Sequence, residues 1–153
     1  MSTHLQGIAD AITSAAGWKS ASPDKGGVFR FSVENGLDFQ LLTPEGRTAV
    51  LLADLGAAPT QGDTQGDEEL KRLASVAAAS LKKRRSSFAV AGSRLELSRT
   101  FPMQTEEQEI RLIVRDFLND LAWWKAQMSG ARANSSSNTS SSPFSLGGWF
   151  SGF

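Results

Sequence analysis

The residue types that usually carry catalysis are sparse in this chain and poorly arranged. His4 is the only histidine, and it lies in the first turn of a predicted helix with no nucleophile at a suitable spacing. Asp116 and Asp120 lie one helical turn apart, but no histidine or third ligand accompanies them. The absence of cysteine excludes a thiolate nucleophile or metal ligand. The sequence therefore predicts a protein that is not an enzyme and that holds no metal or other cofactor.

One basic run, from Lys82 to Arg85, raises the alternative of double-stranded-RNA binding. Contact with phosphates needs an accumulated positive surface. Here 16 Lys and Arg residues are balanced by 16 Asp and Glu residues, and the second predicted helix begins with Asp67, Glu68 and Glu69. The basic run therefore favours a helix-capping and solubilising role. No nucleic-acid partner is expected, and RNA binding remains the less favoured alternative.

The length of 153 residues fits one domain followed by a tail. The first residues lack the pattern of a signal peptide, and no apolar run approaches the roughly 20 residues of a membrane helix. We therefore expect a soluble cytoplasmic protein with no membrane insertion. The domain is expected to cover residues 1–128. Residues 129–153 form a Ser-rich tail that is expected to be disordered, with an aromatic end that is either a docking segment or a free apolar end.

Apolar periodicity predicts an α+β fold in which helices pack on a twisted antiparallel sheet. The predicted order is helix, three strands, helix, two strands, helix. The helices are expected over residues 3–16, 67–84 and 105–128. Three strands are expected between Val28 and Leu55, and a two-residue turn at Gly92-Ser93 joins the last two strands.

The apolar residues also predict the register of each hairpin, because a slip of one residue moves a whole strand to the other face. In the first hairpin, Phe29 and Phe31 are expected opposite Leu41 and Phe39. In the second, three loop residues at Pro44-Glu45-Gly46 are expected to place Leu41 opposite Ala49 and Phe39 opposite Leu51. The last hairpin is expected to pair Val90 with Leu95 and Phe88 with Leu97.

The same registers predict a second apolar face on the sheet, where a solvated surface would be mostly polar. Either a helix of the same chain or a partner must cover this face. Its residues are Val28, Leu42, Val50 and Leu52, mixed with Arg30 and Gln40.

Residues 3–128 resemble the class I chaperones of bacterial type III secretion. The resemblance rests on element order, on size, and on the turns at Asn35-Gly36 and Pro44-Glu45-Gly46. It also rests on an acidic start to the last helix, in TEEQEIRLIVRDFLNDLAWW. The resemblance implies a homodimer that binds the N-terminal region of a secreted effector and keeps it soluble and ready for secretion. A protein-interaction or assembly module of the same fold outside secretion is the alternative.

Two sets of site residues follow from this resemblance. The partner-binding set comprises the second apolar face, extended from the first helix by Ile8, Ile12 and Trp18. The dimer interface is expected around the second helix and the last hairpin, at Leu73, Ala77, Ala78, Leu81, Phe88, Val90 and Leu95.

Overall fold

The structure is a computed structural model, and it describes residues 2–18, 22–33, 37–59 and 62–133. Three helices and five strands follow the predicted order. The helices are α1 (Ser2–Ala16), α2 (Thr64–Ser80) and α3 (Glu107–Ala133). The strands are β1 (Phe29–Phe31), β2 (Phe39–Leu42), β3 (Thr48–Ala57), β4 (Ser87–Ala91) and β5 (Arg94–Pro102).

The five strands form one antiparallel sheet in the order β1-β2-β3-β5-β4. The long strands β3 and β5 are the centre of the sheet, whereas the shorter β1 and β4 lie at its edges. A bulge between Asp54 and Gly56 interrupts the pairing of β3 with β5. Gly56 has a positive φ of 113° there, which a residue with a side chain rarely adopts. The predicted α+β architecture is confirmed.

One face of the sheet carries the core and packs against α1 and α3. The rings of Phe31 and Phe39 stack with their centroids 4.8 Å apart, and Phe117 of α3 meets Phe39 edge-on at 6.0 Å. Such offset and edge-on contacts are the favoured aromatic geometries. Trp18, directly after α1, closes the side of this cluster with its ring 6.2 Å from that of Phe31. The aromatic residues thus join both terminal helices to the first two strands.

The hairpin registers agree with the sequence in two cases and differ in one. Phe29 faces Leu41 and Phe31 faces Phe39, as predicted, and Val90 faces Leu95, as predicted. In the second hairpin, however, Leu41 faces Leu51 rather than Ala49, so the predicted register is wrong by two residues. A shift of two keeps every side chain on its predicted face, because side chains alternate along a strand. The error therefore leaves the two faces of the sheet intact.

Two helices have different ends from those predicted. Helix α2 ends at Ser80, before the basic run, rather than continuing to residue 84. Helix α3 continues to Ala133, five residues past the predicted domain boundary at 128. Local composition did not reveal these ends, because the basic residues after Ser80 also suit the last turn of a helix, and the Ser and Ala residues after 128 fit both a helix and a polar linker.

Helix α1 presents its apolar stripe to the core and not to the surface. Ile8 and Ile12 are buried among the core residues. The prediction that they extend a partner-binding surface is therefore wrong. Helix α1 packs against α3, and its apolar stripe belongs to the hydrophobic core.

Candidate partner-binding site

A cleft of about 570 Å³ opens beside the free edge of the sheet, where β1 begins and β2 ends. Two turns form its walls, one before β1 and one between β2 and β3. Leu5 of α1 and Phe29 are buried lining residues, whereas Val28 and Leu42 are half-buried. The remaining lining residues are Pro23, Gly26, Gly27, Thr43, Pro44, Glu45 and Gly46. We call this site the edge cleft.

The first wall of the edge cleft is a turn held by Asp24. Its Oδ1 accepts hydrogen bonds from the backbone N–H groups of Gly26 at 2.8 Å and Val28 at 3.0 Å. These bonds from Val28 and Gly26, together with the nearby guanidinium of Arg30, lower the pKa of the Asp24 carboxyl below its ordinary value of 3.8. Gly27 has a positive φ of 78°. The wall is therefore pre-formed and ionised near neutral pH.

The second wall is the turn between β2 and β3. The backbone N–H of Gly46 donates to Thr43 Oγ1 at 3.0 Å, and Gly46 has a positive φ of 79°. The hydroxyl of Thr48 donates to Glu45 at 3.1 Å. These contacts fix a turn longer than the predicted three residues, which accounts for the register shift of this hairpin.

The second apolar face continues from the edge cleft across the sheet. Leu42 faces Val50 on β3, and Val50 faces Thr100 on β5. In the next row, Leu52 lies between Gln40 and Ser98. Val28, Leu42, Val50 and Leu52 are all half-buried, so each keeps part of its surface accessible. The face is thus apolar near the edge cleft and polar beyond it.

The polar members of the predicted partner-binding set lie at the border of this face. Arg30 is exposed and lies 3.4 Å from Asp24, so it supports the first wall of the edge cleft. Gln40 is half-buried opposite Arg30. Trp18 is half-buried but packs on Phe31 and Phe39, on the core side of the sheet. The structure therefore does not bring Trp18 together with the edge cleft.

The predicted dimer set divides into buried and accessible residues. Leu73 and Leu95 are completely buried within one protomer. Their assignment to a dimer interface is therefore wrong, because the core of the same chain already covers them. Ala77 and Phe88 are half-buried, and Phe88 stacks on Trp124 with ring centroids 4.3 Å apart. The residues that remain exposed are Ala78, Leu81 at 71% and Val90 at 46%.

The basic run after α2 is attached to α3 by a buried carboxylate. Arg84 Nη1 lies 3.0 Å from Asp120 Oδ1, and Arg84 also lies over the ring of Trp123 at 4.3 Å. Asp120 Oδ2 accepts a hydrogen bond from the Ser86 hydroxyl at 2.6 Å. This network fixes the connection between α2 and β4, so Arg84 has a structural role. Asp116, the other member of the predicted acidic pair, is exposed.

The described residues offer few other sites for chemistry. They contain no group of three or more His, Asp or Glu side chains placed to hold a metal ion. Within the same part of the chain, none of the helices combines the length and the apolar character that crossing a membrane requires. A second depression, of about 390 Å³, lies between the end of β3 and α3. It is lined by the ion pair of Asp54 with Arg94.

Sequence reasoning found the apolar residues of the edge cleft but missed its walls. The sequence pattern predicted no binding role for Gly26 and Gly27, and it predicted only a turn at Pro44 to Gly46. The sequence does contain a signal for these walls. One turn directly precedes Val28 and the other directly follows Leu42, so both turns are expected to lie beside the apolar residues of the site. That Leu5 lies beside them could not be read from the sequence, since it depends on how α1 packs.

Comparison with known proteins identifies the fold. No family model matches the sequence. A search of curated proteins likewise finds no match. The solved structures that resemble this one at low sequence identity include three complexes. A chain of the HopA1–SchA chaperone–effector complex has a TM-score of 0.61 at 12% identity, and the match covers 81% of this chain and 94% of that chain.

The other two structures are also complexes. A chain of the ExsC–ExsE complex has a TM-score of 0.62 at 15% identity, covering 82% of this chain and 93% of that chain. The third is a complex of the Yersinia pestis type III secretion chaperone SycH with a stable fragment of YscM2. Its matching chain has a TM-score of 0.55 at 10% identity, covering 78% of this chain and 98% of that chain. The fold is therefore the one found in type III secretion chaperone complexes, as the sequence predicted.

Proposed function

We propose that this protein is a type III secretion chaperone that binds an N-terminal segment of a secreted effector in the bacterial cytoplasm. It keeps that segment extended, soluble and ready for secretion. The observation that carries the proposal is the edge cleft, an apolar and pre-formed concavity at the free edge of a sheet with this fold. Ligand sites are usually concave, mostly apolar and largely pre-formed. The proposed activity needs no catalysis and no cofactor.

The size of the edge cleft indicates how much of the effector segment must bind. Two bulky apolar side chains bury roughly 300 Å², which corresponds to roughly 7 kcal/mol at about 25 cal/mol per Å². Association costs roughly 4–15 kcal/mol before any net affinity appears. The edge cleft alone therefore gives weak binding. A tight complex must also use the second apolar face next to the edge cleft, at Val50 and Leu52.

Strand β1 supplies a second source of binding free energy. It is an edge strand of three residues, and an extended segment can add to such an edge through main-chain hydrogen bonds. These bonds demand little of the sequence, whereas the edge cleft selects for apolar side chains. This combination suits a protein that holds an unfolded segment without recognising a folded surface.

The protein is also proposed to act as a homodimer through the exposed part of the predicted dimer set. Leu81 and Val90 are two of the three large apolar side chains that are exposed among the described residues. Val90 lies on β4, at the edge of the sheet opposite the edge cleft. A dimer formed there leaves both edge clefts open to effector segments.

The proposal is tested by affinity capture from the native bacterium, followed by mass spectrometry. The unmodified protein is compared with Leu42→Asp, which puts a charge in the edge cleft. It is also compared with Leu112→Asp, which puts a charge on the exposed face of α3, where Leu112 is 46% exposed. We expect a protein exported by the type III apparatus to bind the unmodified chain and Leu112→Asp, but not Leu42→Asp.

Folding must be checked in parallel, because Leu42 is half-buried. Val28 is half-buried as well but lies outside the strands, so Val28→Asp should give the same loss of binding with a smaller change in melting temperature. Capture of the exported protein by both folded cleft variants would contradict the proposed site. Capture only of proteins that are not exported would favour the interaction module outside secretion. Salt-sensitive binding of duplex RNA that is lost on neutralising Lys82, Lys83 and Arg85 would favour the RNA alternative.

A further inference from the structure

Residues 143–153 have the composition of a ligand for the edge cleft. This segment, PFSLGGWFSGF, contains four aromatic residues and no charged residue. It follows nine residues that are all Asn, Ser or Thr. The edge cleft is lined mostly by proline, glycine and apolar residues, with Thr43 and Glu45 as its polar members, and it has a volume of about 570 Å³. That volume lies within the range of sites that bind small ligands, and it accommodates the side chains of an adjacent aromatic pair such as Trp149-Phe150.

The chain between α3 and this segment is long enough to reach the edge cleft. Met128 of α3 and Ala57 of β3 line the same depression, so α3 ends near the far end of β3. The edge cleft lies beside the other end of β3, at Gly46. The ten residues of β3 span about 30 Å, and the last turns of α3 add about 7 Å. The 16 residues from Asn134 to Trp149 can span at most about 55 Å, which exceeds that distance.

The other exposed apolar side chains offer no comparable site. Leu81 and Val90 lie outside both depressions described above, and Leu81 adjoins the basic run. Leu112 is a single exposed side chain on α3. Aromatic side chains bury most apolar area where they are enclosed on several sides. A concave apolar site is therefore favoured over these single exposed side chains as a binding site.

We propose that residues 143–153 of the same chain occupy the edge cleft when no effector is bound, and that an effector must displace them. The inference rests on the proposed function only in that both use the edge cleft. It assigns to this segment the role of an intramolecular substitute for the effector, which shields the apolar cleft in the free protein.

Tethering makes this competition effective without tight intrinsic binding. A short tether gives an effective concentration on the order of 1 mM. If the free segment binds with a dissociation constant of about 0.1 mM, the tethered segment fills about nine-tenths of the clefts. A competing ligand then binds about tenfold more weakly than it does to an empty cleft. Removal of the aromatic pair should therefore strengthen the binding of a competitor about tenfold.

The position of the segment can be measured directly, because the chain contains no cysteine. A nitroxide label on Ser151→Cys broadens the amide NMR signals of nearby residues. We expect broadening of Gly26, Val28 and Gly46, which should disappear when Trp149→Ala and Phe150→Ala are added. Broadening confined to Lys125 and Met128, or spread evenly over the domain, would overturn the inference. Broadening that arises only between a labelled and an unlabelled chain would overturn it as well.

Competition is measured with a synthetic peptide of residues 143–153 that carries a fluorophore. The peptide should bind the Trp149→Ala/Phe150→Ala chain about tenfold more tightly than the unmodified chain. Adding Leu42→Asp to the double variant should abolish binding, whereas adding Leu112→Asp should not. Equal affinity for the unmodified chain and the double variant would overturn the inference. If an exported protein still needs Leu42 for capture in that case, the proposed function stands and only the inference fails.

Discussion

Asp24 shows how one exposed side chain can shape the edge cleft. It accepts two backbone hydrogen bonds within its own turn, from Gly26 and Val28, and it pairs with Arg30. All of these contacts favour the ionised carboxylate, and they orient the backbone that leads into β1. Asp24 thus acts on the shape of the site, although it is not one of the residues that line the edge cleft.

We predict that Asp24→Ala loosens the first wall without unfolding the domain. Exchange of the Val28 amide hydrogen should accelerate, and capture of the effector should weaken, while the melting temperature changes little because Asp24 is exposed. Lys25→Ala, at the next exposed position, is the matched control. Unchanged exchange at Val28 in Asp24→Ala would show that Asp24 does not hold this turn.

The lowered pKa of Asp24 also fixes how the turn responds to pH. A carboxylate with a lowered pKa stabilises the folded state above its ordinary pKa, and this contribution is lost as the pH falls through the lowered value. The turn should therefore be intact from neutral pH down to about pH 4 and should loosen below that. NMR titration of the Gly26 and Val28 amide signals should report an apparent pKa below 3.8. A midpoint above 3.8 would contradict the assignment.

We predict that Asp120→Ala destabilises the domain much more than Asp116→Ala. The Asp120 side chain is only 6% exposed and binds Arg84 and Ser86, whereas the Asp116 side chain is 51% exposed. Loss of Asp120 leaves buried donors unpaired, which should cost about 2–3 kcal/mol in the free energy of unfolding. Asp116→Ala should change it by less than about 0.5 kcal/mol. Chemical denaturation measures both, and equal effects would contradict a structural role for Asp120.

At the scale of elements, the turn between β2 and β3 both sets the register and forms a wall of the edge cleft. Its Thr43–Gly46 hydrogen bond belongs to a connection longer than the three residues that the Pro-Glu-Gly sequence suggests. The predicted register of this hairpin failed by two residues for that reason. Local turn chemistry and the binding site are therefore coupled at this element.

We predict that Thr43→Val opens this turn locally. Valine keeps the shape of threonine but cannot accept the hydrogen bond from the Gly46 N–H, and an exposed bond of this kind contributes about 0.5–1 kcal/mol. Exchange of the Gly46 amide hydrogen should accelerate, whereas the amides of the β3–β5 ladder should keep their rates. Thr100→Val, an exposed position on β5 opposite Val50, is the control and should leave Gly46 unchanged. Equal exchange at Gly46 in both variants would contradict this role of Thr43.

At the scale of the whole molecule, the two edges of the sheet differ in their surroundings. The edge at β1 adjoins the edge cleft, whereas the edge at β4 carries the exposed Val90 and lies next to β5. An exposed edge strand is prone to pair with another chain. The proposed functions of the two edges are therefore different, effector binding at β1 and dimerisation at β4.

We predict that Val90→Asp converts the proposed dimer into a monomer. Burial of Val90 in a two-fold interface contributes about 2 kcal/mol, so its loss should weaken dimerisation at least about thirtyfold. Leu112→Asp is the matched control, since Val90 and Leu112 are both 46% exposed. Analytical ultracentrifugation should show a dimer for the unmodified chain and for Leu112→Asp. A monomeric unmodified chain, or a Val90→Asp chain that remains dimeric, would contradict the proposed interface.

The sequence by itself determined the order of the elements and the face on which each strand residue lies. Alternation along a strand depends only on backbone geometry, so Phe31, Phe39 and Leu51 reach the core in spite of the shifted register. The apolar second face at Leu42 and Val50 followed from the same rule. These properties are local, and short-range patterns are enough to predict them.

Only the tertiary structure decided which apolar side chains remain accessible. The core of a single protomer buries Ile8 and Ile12 of α1, and it also buries Leu73 and Leu95. The edge cleft likewise forms only because the turn before β1, the turn after β2 and Leu5 of α1 lie close together in space, although they are distant in sequence. Periodicity indicates that a helix or strand has an apolar face. Which element or chain packs against that face depends on long-range contacts, which no local pattern encodes.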